Sequence, residues 1–365
     1  MSRPFFRPEV DALAPYATGR PLEDLQRELG LDRIVKLAAN EGPFAPFPAA
    51  LEAMSAAQSD LNRYPNGGAV RLHEAIAARH EVPVIEVCAG SGADGVLDLL
   101  SQAVLGPGDE IVCGWPSFPS YEIYASKQGA TAKRVPLRDH RYDLDALAAA
   151  IGPRTKLVYV CHPNNPTGTM NTRDELDSFM GKIPDGVLVV IDQAYFEYID
   201  RADYPDGVDY FKAGKRVLVL RTFSKIYGLA GLRVGYAVGP GDVCAAMAKV
   251  RRPFDVTTTA QVAAVASMDA GDEIARRRRL NEQGLARLTQ ILRDHGLAPA
   301  PGAVGNFVYV DVGEDAAALF ERFLREGVIV RPLGGFGAPT AIRVSVGTPD
   351  ELDFFARALA AIYPR

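Results

Sequence analysis

A lysine among hydroxylated and small residues is the feature of this sequence best suited to covalent chemistry. Lys225 follows an apolar run at residues 217–220, and such a run indicates a buried strand. Burial lowers the pKa of a lysine and frees its amine for Schiff-base formation. Thr222, Ser224 and Arg233 lie nearby in the sequence and could hold a phosphate group. For a lysine considered alone, an exposed position in a loop is the simpler interpretation.

Two further polar sets follow apolar runs in the same way. Asn165 lies in an Asn-Asn-Pro-Thr-Gly segment at 164–168, and Asp192 and Tyr195 follow the next run. Open α/β sheets place their ligands at the carboxyl ends of their strands. The three sets are therefore expected to meet, which makes catalysis a better interpretation of Lys225 than an exposed loop.

A glycine-rich stretch at residues 90–95 precedes a predicted helix and fits Gly-x-Gly-x-x-Gly. A dinucleotide fold needs an acidic residue at the end of the next strand. Asp109 and Glu110 instead begin that strand, so we reject dinucleotide binding. Small residues at a helix N-terminus can still bind a single phosphate. The expected phosphate cup consists of Gly92, Ala93 and Asp94.

The order and spacing of these motifs resemble those of the fold-type I enzymes that use pyridoxal phosphate, the aspartate aminotransferase superfamily. The match extends over nearly the whole chain. The resemblance implies that Lys225 forms a Schiff base with pyridoxal 5′-phosphate and moves a proton from the substrate Cα. It implies that Asp192 pairs with the pyridinium nitrogen and that Asn165 and Tyr195 bind the phenolic oxygen. The remaining implied cofactor contacts are Gly92, Ala93, Asp94, Phe118, Thr222, Ser224, Arg233 and Tyr64 of the partner subunit.

Two aromatic residues remain open as the group that stacks on the cofactor ring. The resemblance implies Phe118, for which a plain core position is the alternative. Tyr121 is a second candidate for the same face. The role of Tyr64 implies a homodimer with shared sites.

A strand arginine is the candidate for binding the substrate. Arg343 alternates with apolar neighbours at 341–346, and a half-buried strand arginine requires an anion. An ion pair with a nearby carboxylate is the alternative. The resemblance implies that Arg343 binds a carboxylate or phosphate of the substrate with help from Arg331. It also implies that Tyr16 closes over the substrate and that Asn40 lies in the segment that contacts it.

Composition excludes several other classes of function. The 365 residues carry a net charge of −5 and a pI near 5.7, which argues against nucleic acid or an anionic membrane as partner. We expect a soluble cytoplasmic protein, because no signal peptide or membrane-spanning run is evident. The cysteines and histidines show no metal-ligand spacing, so we expect buried thiols and no metal site. The basic run at 276–279 is expected to be a solvated helix face.

Strand and helix signals alternate along the first 250 residues and predict a mostly parallel sheet between helices. Beyond them, helical periodicity dominates residues 260–292, and a mixture of strands and helices follows. The predicted fold is an α/β, fold-type I transferase with a seven-stranded-type sheet and a smaller α+β C-terminal domain. The predicted divisions are an arm that joins the small domain (1–42), a large cofactor-binding domain (43–250) and a small domain (251–365).

Within the superfamily the chain is most similar to the histidinol-phosphate aminotransferases. The segments that carry this likeness lie at 13–16, 37–43, 162–168 and 331–337. The implied reaction is transamination between histidinol phosphate and 2-oxoglutarate, in histidine biosynthesis. An aminotransferase for aromatic amino acids such as phenylalanine, and a lyase like threonine-phosphate decarboxylase, are alternatives. A non-catalytic binder would require Lys225 to carry no cofactor.

Overall fold

The structure is a computed structural model, and it describes residues 5–11, 13 and 21–364. In chain order the strands are β1 (Val35–Lys36), β2 (Val87–Gly90), β3 (Glu110–Trp115), β4 (Thr131–Pro136), β5 (Thr155–Cys161), β6 (Leu188–Asp192), β7 (Val217–Thr222), β8 (Gly235–Val238), β9 (Phe307–Asp311), β10 (Val328–Ile329), β11 (Arg331–Pro332) and β12 (Ala341–Ser345). The helices are α1 (Pro8–Asp11), α2 (Leu22–Leu29), α3 (Pro48–Ala57), α4 (Val70–His80), α5 (Gly92–Val104), α6 (Ser120–Lys127), α7 (Leu144–Ala149), α8 (Arg173–Met180), α9 (Gly207–Lys212), α10 (Gly241–Val250), α11 (Thr258–Met268), α12 (Gly271–Asp294), α13 (Ala316–Arg325) and α14 (Pro349–Ile362).

The largest sheet has seven strands in the order β2-β8-β7-β6-β5-β3-β4. β8 runs antiparallel to both of its neighbours, and the pairs from β7 to β4 are parallel. Every residue of β6 and β7 is buried. Parallel strands covered on both faces are encoded as continuous apolar runs, which explains why these central strands were evident in the sequence. The predicted mostly parallel α/β sheet is confirmed.

A second, smaller core lies in the C-terminal part of the chain. β12 pairs antiparallel with β9 and β11, while β1 of the N-terminal segment pairs with β10. Phe323, Phe355 and Leu288 are fully buried in this core. The long helix α12 joins both cores, because Ile274 near its start packs in the core of the seven-stranded sheet.

The structure differs in three details from the sequence expectations. The helical region 260–292 consists of two helices, α11 and α12, separated at residues 269 and 270. Ala260 and Ala263 pack in the core of the seven-stranded sheet, beyond the boundary expected at residue 250. The edge strand β4 was not predicted, because most of its residues are exposed or half-buried and form no apolar run. Within the described ranges no helix has the length and apolarity to cross a bilayer.

Candidate active site

Three adjacent strands end at one edge of the seven-stranded sheet and carry the predicted catalytic residues there. Asp192 is the last residue of β6, Asn165 follows β5 and Lys225 follows β7. β6 lies between β5 and β7, with Asp192 opposite Cys161 on one side and Leu220 on the other. Since parallel strands point their carboxyl ends to the same edge, the fold brings together the three motifs found in the sequence.

Lys225 occupies an environment that favours its neutral amine. The residue is half-buried, and its Nζ donates a hydrogen bond to the carbonyl oxygen of Ala39 at 3.2 Å. The same nitrogen lies 5.6 Å from the centre of the Tyr195 ring. Burial, followed by the positive charge of Arg343, lowers the pKa of Lys225 to about 8. An appreciable neutral fraction near pH 7 makes this amine available as a nucleophile and base.

The carboxyl group of Asp192 is buried and accepts two hydrogen bonds. The Tyr121 hydroxyl donates to Oδ2 at 2.6 Å, and the Ala194 backbone N–H donates to Oδ1 at 3.1 Å. Burial raises the pKa of Asp192 to about 6, while these two donors and Lys225 favour the charged form. Above that pH the group is a carboxylate able to pair with a cationic ring nitrogen.

The Tyr195 hydroxyl is held by the N-terminal segment. The Asn40 side chain donates to Tyr195 Oη at 2.8 Å and accepts a hydrogen bond from the Ser345 hydroxyl at 3.1 Å. Asn40 has a backbone φ of 54°, a left-handed conformation that asparagine tolerates better than most residues. Burial raises the pKa of Tyr195, so its hydroxyl stays protonated and can donate to an acceptor.

Arg343 is a buried cation without a carboxylate partner among the described residues. Only 4% of its surface is exposed. Its guanidinium donates to the side-chain oxygen of Asn165 and to the carbonyl oxygen of Ala38, and its Nε has no partner. Burial lowers the pKa of Arg343 to about 10. The ion pair considered as an alternative is therefore absent from the described part of the chain, and the incomplete set of acceptors fits a site for an anion.

The residues expected to bind phosphate converge at the start of α5. Gly92 has a φ of +76°, and a Cβ there would lie 2.6 Å from Nη2 of Arg233. Arg233 donates to the Ser224 hydroxyl at 3.5 Å, and the Thr222 hydroxyl donates to the same oxygen at 3.0 Å. A glycine, a guanidinium and two hydroxyls at a helix N-terminus form a cradle suited to a phosphate.

Comparisons with known proteins agree with this geometry. A model of the family "Aminotransferase class I and II" matches residues 32–359. This chain belongs to that family. Histidinol-phosphate aminotransferase 2 of Pseudomonas aeruginosa is 44% identical over 358 residues, which are 98% of this chain and 97% of that protein. The histidinol-phosphate aminotransferase of Moorella thermoacetica is 43% identical over 360 residues, 98% of this chain and 93% of that protein.

A solved structure shows the same fold. The crystal structure of histidinol-phosphate aminotransferase from Sinorhizobium meliloti, in complex with pyridoxal-5′-phosphate, matches with a TM-score of 0.90 and 30% identity. The match covers 99% of this chain and 98% of that one. The predictions of an aminotransferase and of a fold-type I architecture are confirmed.

In this aminotransferase, the two aromatic residues considered for stacking on the cofactor ring lie in different environments. Tyr121 is 1% exposed, its ring stacks on Tyr159 at 4.3 Å, and its hydroxyl is bonded to Asp192. Phe118 is half-buried, meets Tyr121 edge-on at 5.6 Å and also packs on the small hydrophobic cluster that contains Phe336. The ring of Phe118 is therefore more accessible than that of Tyr121.

Three other residues were predicted to contact the cofactor or the substrate of this aminotransferase, namely Arg331, Tyr64 and Tyr16. Arg331 lies directly opposite Arg343 across the β11–β12 pair, and both guanidinium groups lie within 6 Å of the Phe336 ring, at 5.8 and 5.5 Å. Tyr64 is 81% exposed and stacks on Phe254 at 4.5 Å. Tyr16 lies outside the described residues.

Sequence reasoning missed several groups that support the site. The Asp94 carboxylate is bonded by Ser120 and Tyr124 of α6, each at 2.6 Å. Arg277 was expected on a solvated face, but it is buried and donates to the carbonyl oxygens of Ile226 and Ala45. Its neighbours on α12 remain exposed or half-buried. The sequence signal for Arg277 was indistinct, because four consecutive arginines hide the one that faces the loop after Lys225.

Proposed function

We propose that this aminotransferase transfers the amino group of histidinol phosphate to 2-oxoglutarate, giving imidazole acetol phosphate and glutamate. The observation that carries the proposal is the pair of arginines, Arg343 and Arg331, opposite each other and without carboxylate partners among the described residues. Two cations at one position suit a dianionic phosphate better than a single carboxylate. Relatives that are 43–44% identical over 98% of the chain bear the name histidinol-phosphate aminotransferase.

Pyridoxal 5′-phosphate is the cofactor, as the sequence predicted and as the likeness to the complex from Sinorhizobium meliloti supports. The side chains fit this group, since a phosphate cradle at Gly92 and Arg233, a buried carboxylate and an amine of lowered pKa lie at one edge of the sheet. When bound, the cofactor supplies an electron sink for the charge that develops at the substrate Cα.

Each side chain around the cofactor has a separate role in the reaction. Lys225 Nζ takes the proton from the substrate Cα, since its lowered pKa provides the free amine that a base requires. Asp192 holds a proton on the ring nitrogen through its carboxylate. Tyr195 and Asn165 orient the ring through hydrogen bonds to its phenolic oxygen, and Phe118 packs on the ring face.

We propose that the active enzyme is a homodimer to which Tyr64 contributes across the interface. The exposed fraction of the Tyr64 side chain is 81%, and several large apolar residues on nearby segments are also exposed. These residues are Leu51, Leu61, Val70, Val84, Ile85 and Phe254. Clustered exposed apolar side chains indicate a protein interface.

The contribution of Tyr64 can be measured. Tyr64→Phe is expected to keep the dimer but to raise the Kd for pyridoxal 5′-phosphate about 3- to 10-fold, because one hydrogen bond to the phosphate is lost. Sedimentation equilibrium should give twice the chain mass of 39.3 kDa for both proteins. Tyr363→Phe, which removes a hydroxyl bonded to Glu314, is the matched control. A monomer with unaltered affinity for the cofactor would contradict the proposal.

We also propose two functional units, with the larger one extending beyond residue 250. Its core includes α11 and the start of α12, while the N-terminal segment joins the smaller unit through β1 and β10. We propose a cytoplasmic location, because all four cysteines are buried free thiols, as is usual in a reducing compartment.

A half-reaction tests the substrate proposal. The yellow holoenzyme is mixed with histidinol phosphate, or separately with phenylalanine, without any oxo acid, and the loss of its visible absorbance is followed. We expect histidinol phosphate to react at least about 100-fold more efficiently, since each tenfold preference requires about 1.4 kcal/mol of differential binding. Equal or faster reaction of phenylalanine would assign the enzyme to aromatic amino acids. Release of carbon dioxide from an amino-acid phosphate without an acceptor would indicate a lyase.

An arginine variant locates the anion site in the same assay. Arg343→Ala should lower the efficiency with both donors by about 30- to 5,000-fold, because removal of a buried ionic partner costs about 2–5 kcal/mol. Arg357→Ala removes an exposed arginine of α14 and should leave both reactions unchanged. An unimpaired Arg343→Ala variant would place the anion site elsewhere.

A further inference from the structure

Tyr121 is hydrogen-bonded to the buried carboxyl group of Asp192. Asp192 accepts its shorter hydrogen bond from the Tyr121 hydroxyl, at 2.6 Å, and the longer one from the Ala194 backbone at 3.1 Å. Each donor occupies a different carboxylate oxygen. A substitution at Tyr121 can remove the first donor, whereas the second belongs to the backbone.

The position of Tyr121 is determined by its surroundings. Its ring is parallel to that of Tyr159 within 11°, at a centroid distance of 4.3 Å, and Phe118 covers another side edge-on. The helix that carries it, α6, is bonded to Asp94 of α5 on both sides of Tyr121, through Ser120 and Tyr124. Because the ring is held in this way, its hydroxyl oxygen cannot move away from Asp192 unless the core repacks.

Two charged groups near Asp192 act in opposite directions on its ionisation. Lys225 at the end of β7 favours its charged form, while Asp94 on α5 opposes it. The other titratable groups that face it are neutral, namely Cys161 and Tyr159 on β5 and Tyr195 after β6, and burial raises the pKa of each. Burial also raises the pKa of Tyr121 well above its usual value, so its hydroxyl retains the donor proton across the working range.

We infer that Tyr121 is a positioning residue that keeps Asp192 ionised and aimed at the ring nitrogen of the cofactor. This inference rests on the proposed role of Asp192. A charge-assisted hydrogen bond stabilises the carboxylate over the carboxylic acid, and the fixed ring sets its direction. Tyr121 therefore acts through Asp192 and not by stacking on the cofactor.

The experiment measures how cofactor affinity depends on pH. The full chain is freed of cofactor and titrated with pyridoxal 5′-phosphate between pH 5 and 9, with the fluorescence of its one tryptophan, Trp115, as signal. Affinity should fall as the pH decreases, first as Lys225 takes up a proton near its pKa of about 8 and then as Asp192 takes one up near its pKa of about 6. The second step is the acid fall that this experiment follows. In Tyr121→Phe the midpoint of this fall should move up by about one to two pH units, because a donor to a charged group is lost. In the matched control Tyr159→Phe, whose ring stacks on Tyr121, the midpoint should stay in place.

A double-mutant cycle separates this role from a structural one. In Asp192→Asn the acid fall should disappear, and adding Tyr121→Phe should change nothing further. An unmoved midpoint in Tyr121→Phe, or an equal effect of that change with and without Asp192, would overturn the inference. An intact acid fall in Asp192→Asn would instead overturn the proposed role of Asp192.

A second variant tests the same inference if Tyr121→Phe does not fold. Incorporation of 3-fluorotyrosine at position 121 retains the ring and the hydroxyl but makes the phenol a stronger hydrogen-bond donor. The midpoint of the acid fall should then move to lower pH. A midpoint equal to that of the unmodified protein would contradict the assignment.

Discussion

Lys225→Ala is expected to lower the transamination rate by at least about 10⁴-fold, the upper range for loss of a positioned base. Under the proposed mechanism, the variant loses both the amine that holds the cofactor covalently and the group that moves the proton at the substrate Cα. Cofactor should still bind weakly, because the cradle formed by Gly92, Ser224 and Arg233 is intact. Stopped-flow absorbance with histidinol phosphate measures the rate.

The same substitution at a lysine that precedes β7 is the control. Lys215 lies just before the other end of the strand and is exposed, so Lys215→Ala should react like the unaltered enzyme. The fold should persist in Lys225→Ala, since the lysine makes one hydrogen bond from its amine, to Ala39. Turnover within tenfold of normal in a folded Lys225→Ala variant would refute the mechanism.

Asp192→Asn is expected to lower the rate of the same half-reaction by about 150- to 5,000-fold, because loss of one member of a buried ion pair costs about 3–5 kcal/mol. The amide has nearly the shape of the carboxyl group but cannot balance a positive ring nitrogen. The unaltered enzyme should lose activity only below the Asp192 pKa of about 6, because a positive ring nitrogen lowers that pKa further. The variant should lack that acid limb.

An exposed aspartate provides the comparison for this second variant. Asp200→Asn changes a carboxylate on the surface that pairs with Arg278 and should leave both the rate and the acid limb unchanged. Single-turnover rates between pH 5 and 9 distinguish the two variants. A fast Asp192→Asn enzyme with a normal acid limb would show that another group pairs with the ring nitrogen.

Much of the site was predictable because its residues follow the central strands of the sheet. The three central strands β5, β6 and β7 are buried on both faces, so each is encoded by an apolar run. The polar residue that follows each run is therefore easy to recognise in the sequence. Asn165, Asp192 and Lys225 were found in this way. The edge strand β4 gave no such signal, since most of its residues are exposed or half-buried and it contains no apolar run.

The residues that support the site were not predictable in the same way. Tyr121 was considered as a stacking group, but the structure turns its hydroxyl to Asp192 and its ring to Tyr159. Arg277 was expected in solvent and is buried against the loop after Lys225. Both depend on which face of a helix meets the sheet, and that is decided by the packing of elements distant in sequence.

The sequence by itself determined the fold class, the order of the catalytic motifs and the chemistry of an amine, a carboxylate and a phosphate cradle. These follow from local patterns, namely apolar runs, glycines at a helix start and the residue types after each strand. Only the tertiary structure decided that Arg343 has no carboxylate partner among the described residues, and that Tyr121 serves Asp192. A side chain acquires its partner, its burial and its pKa from contacts across the chain, and a local pattern does not contain those contacts.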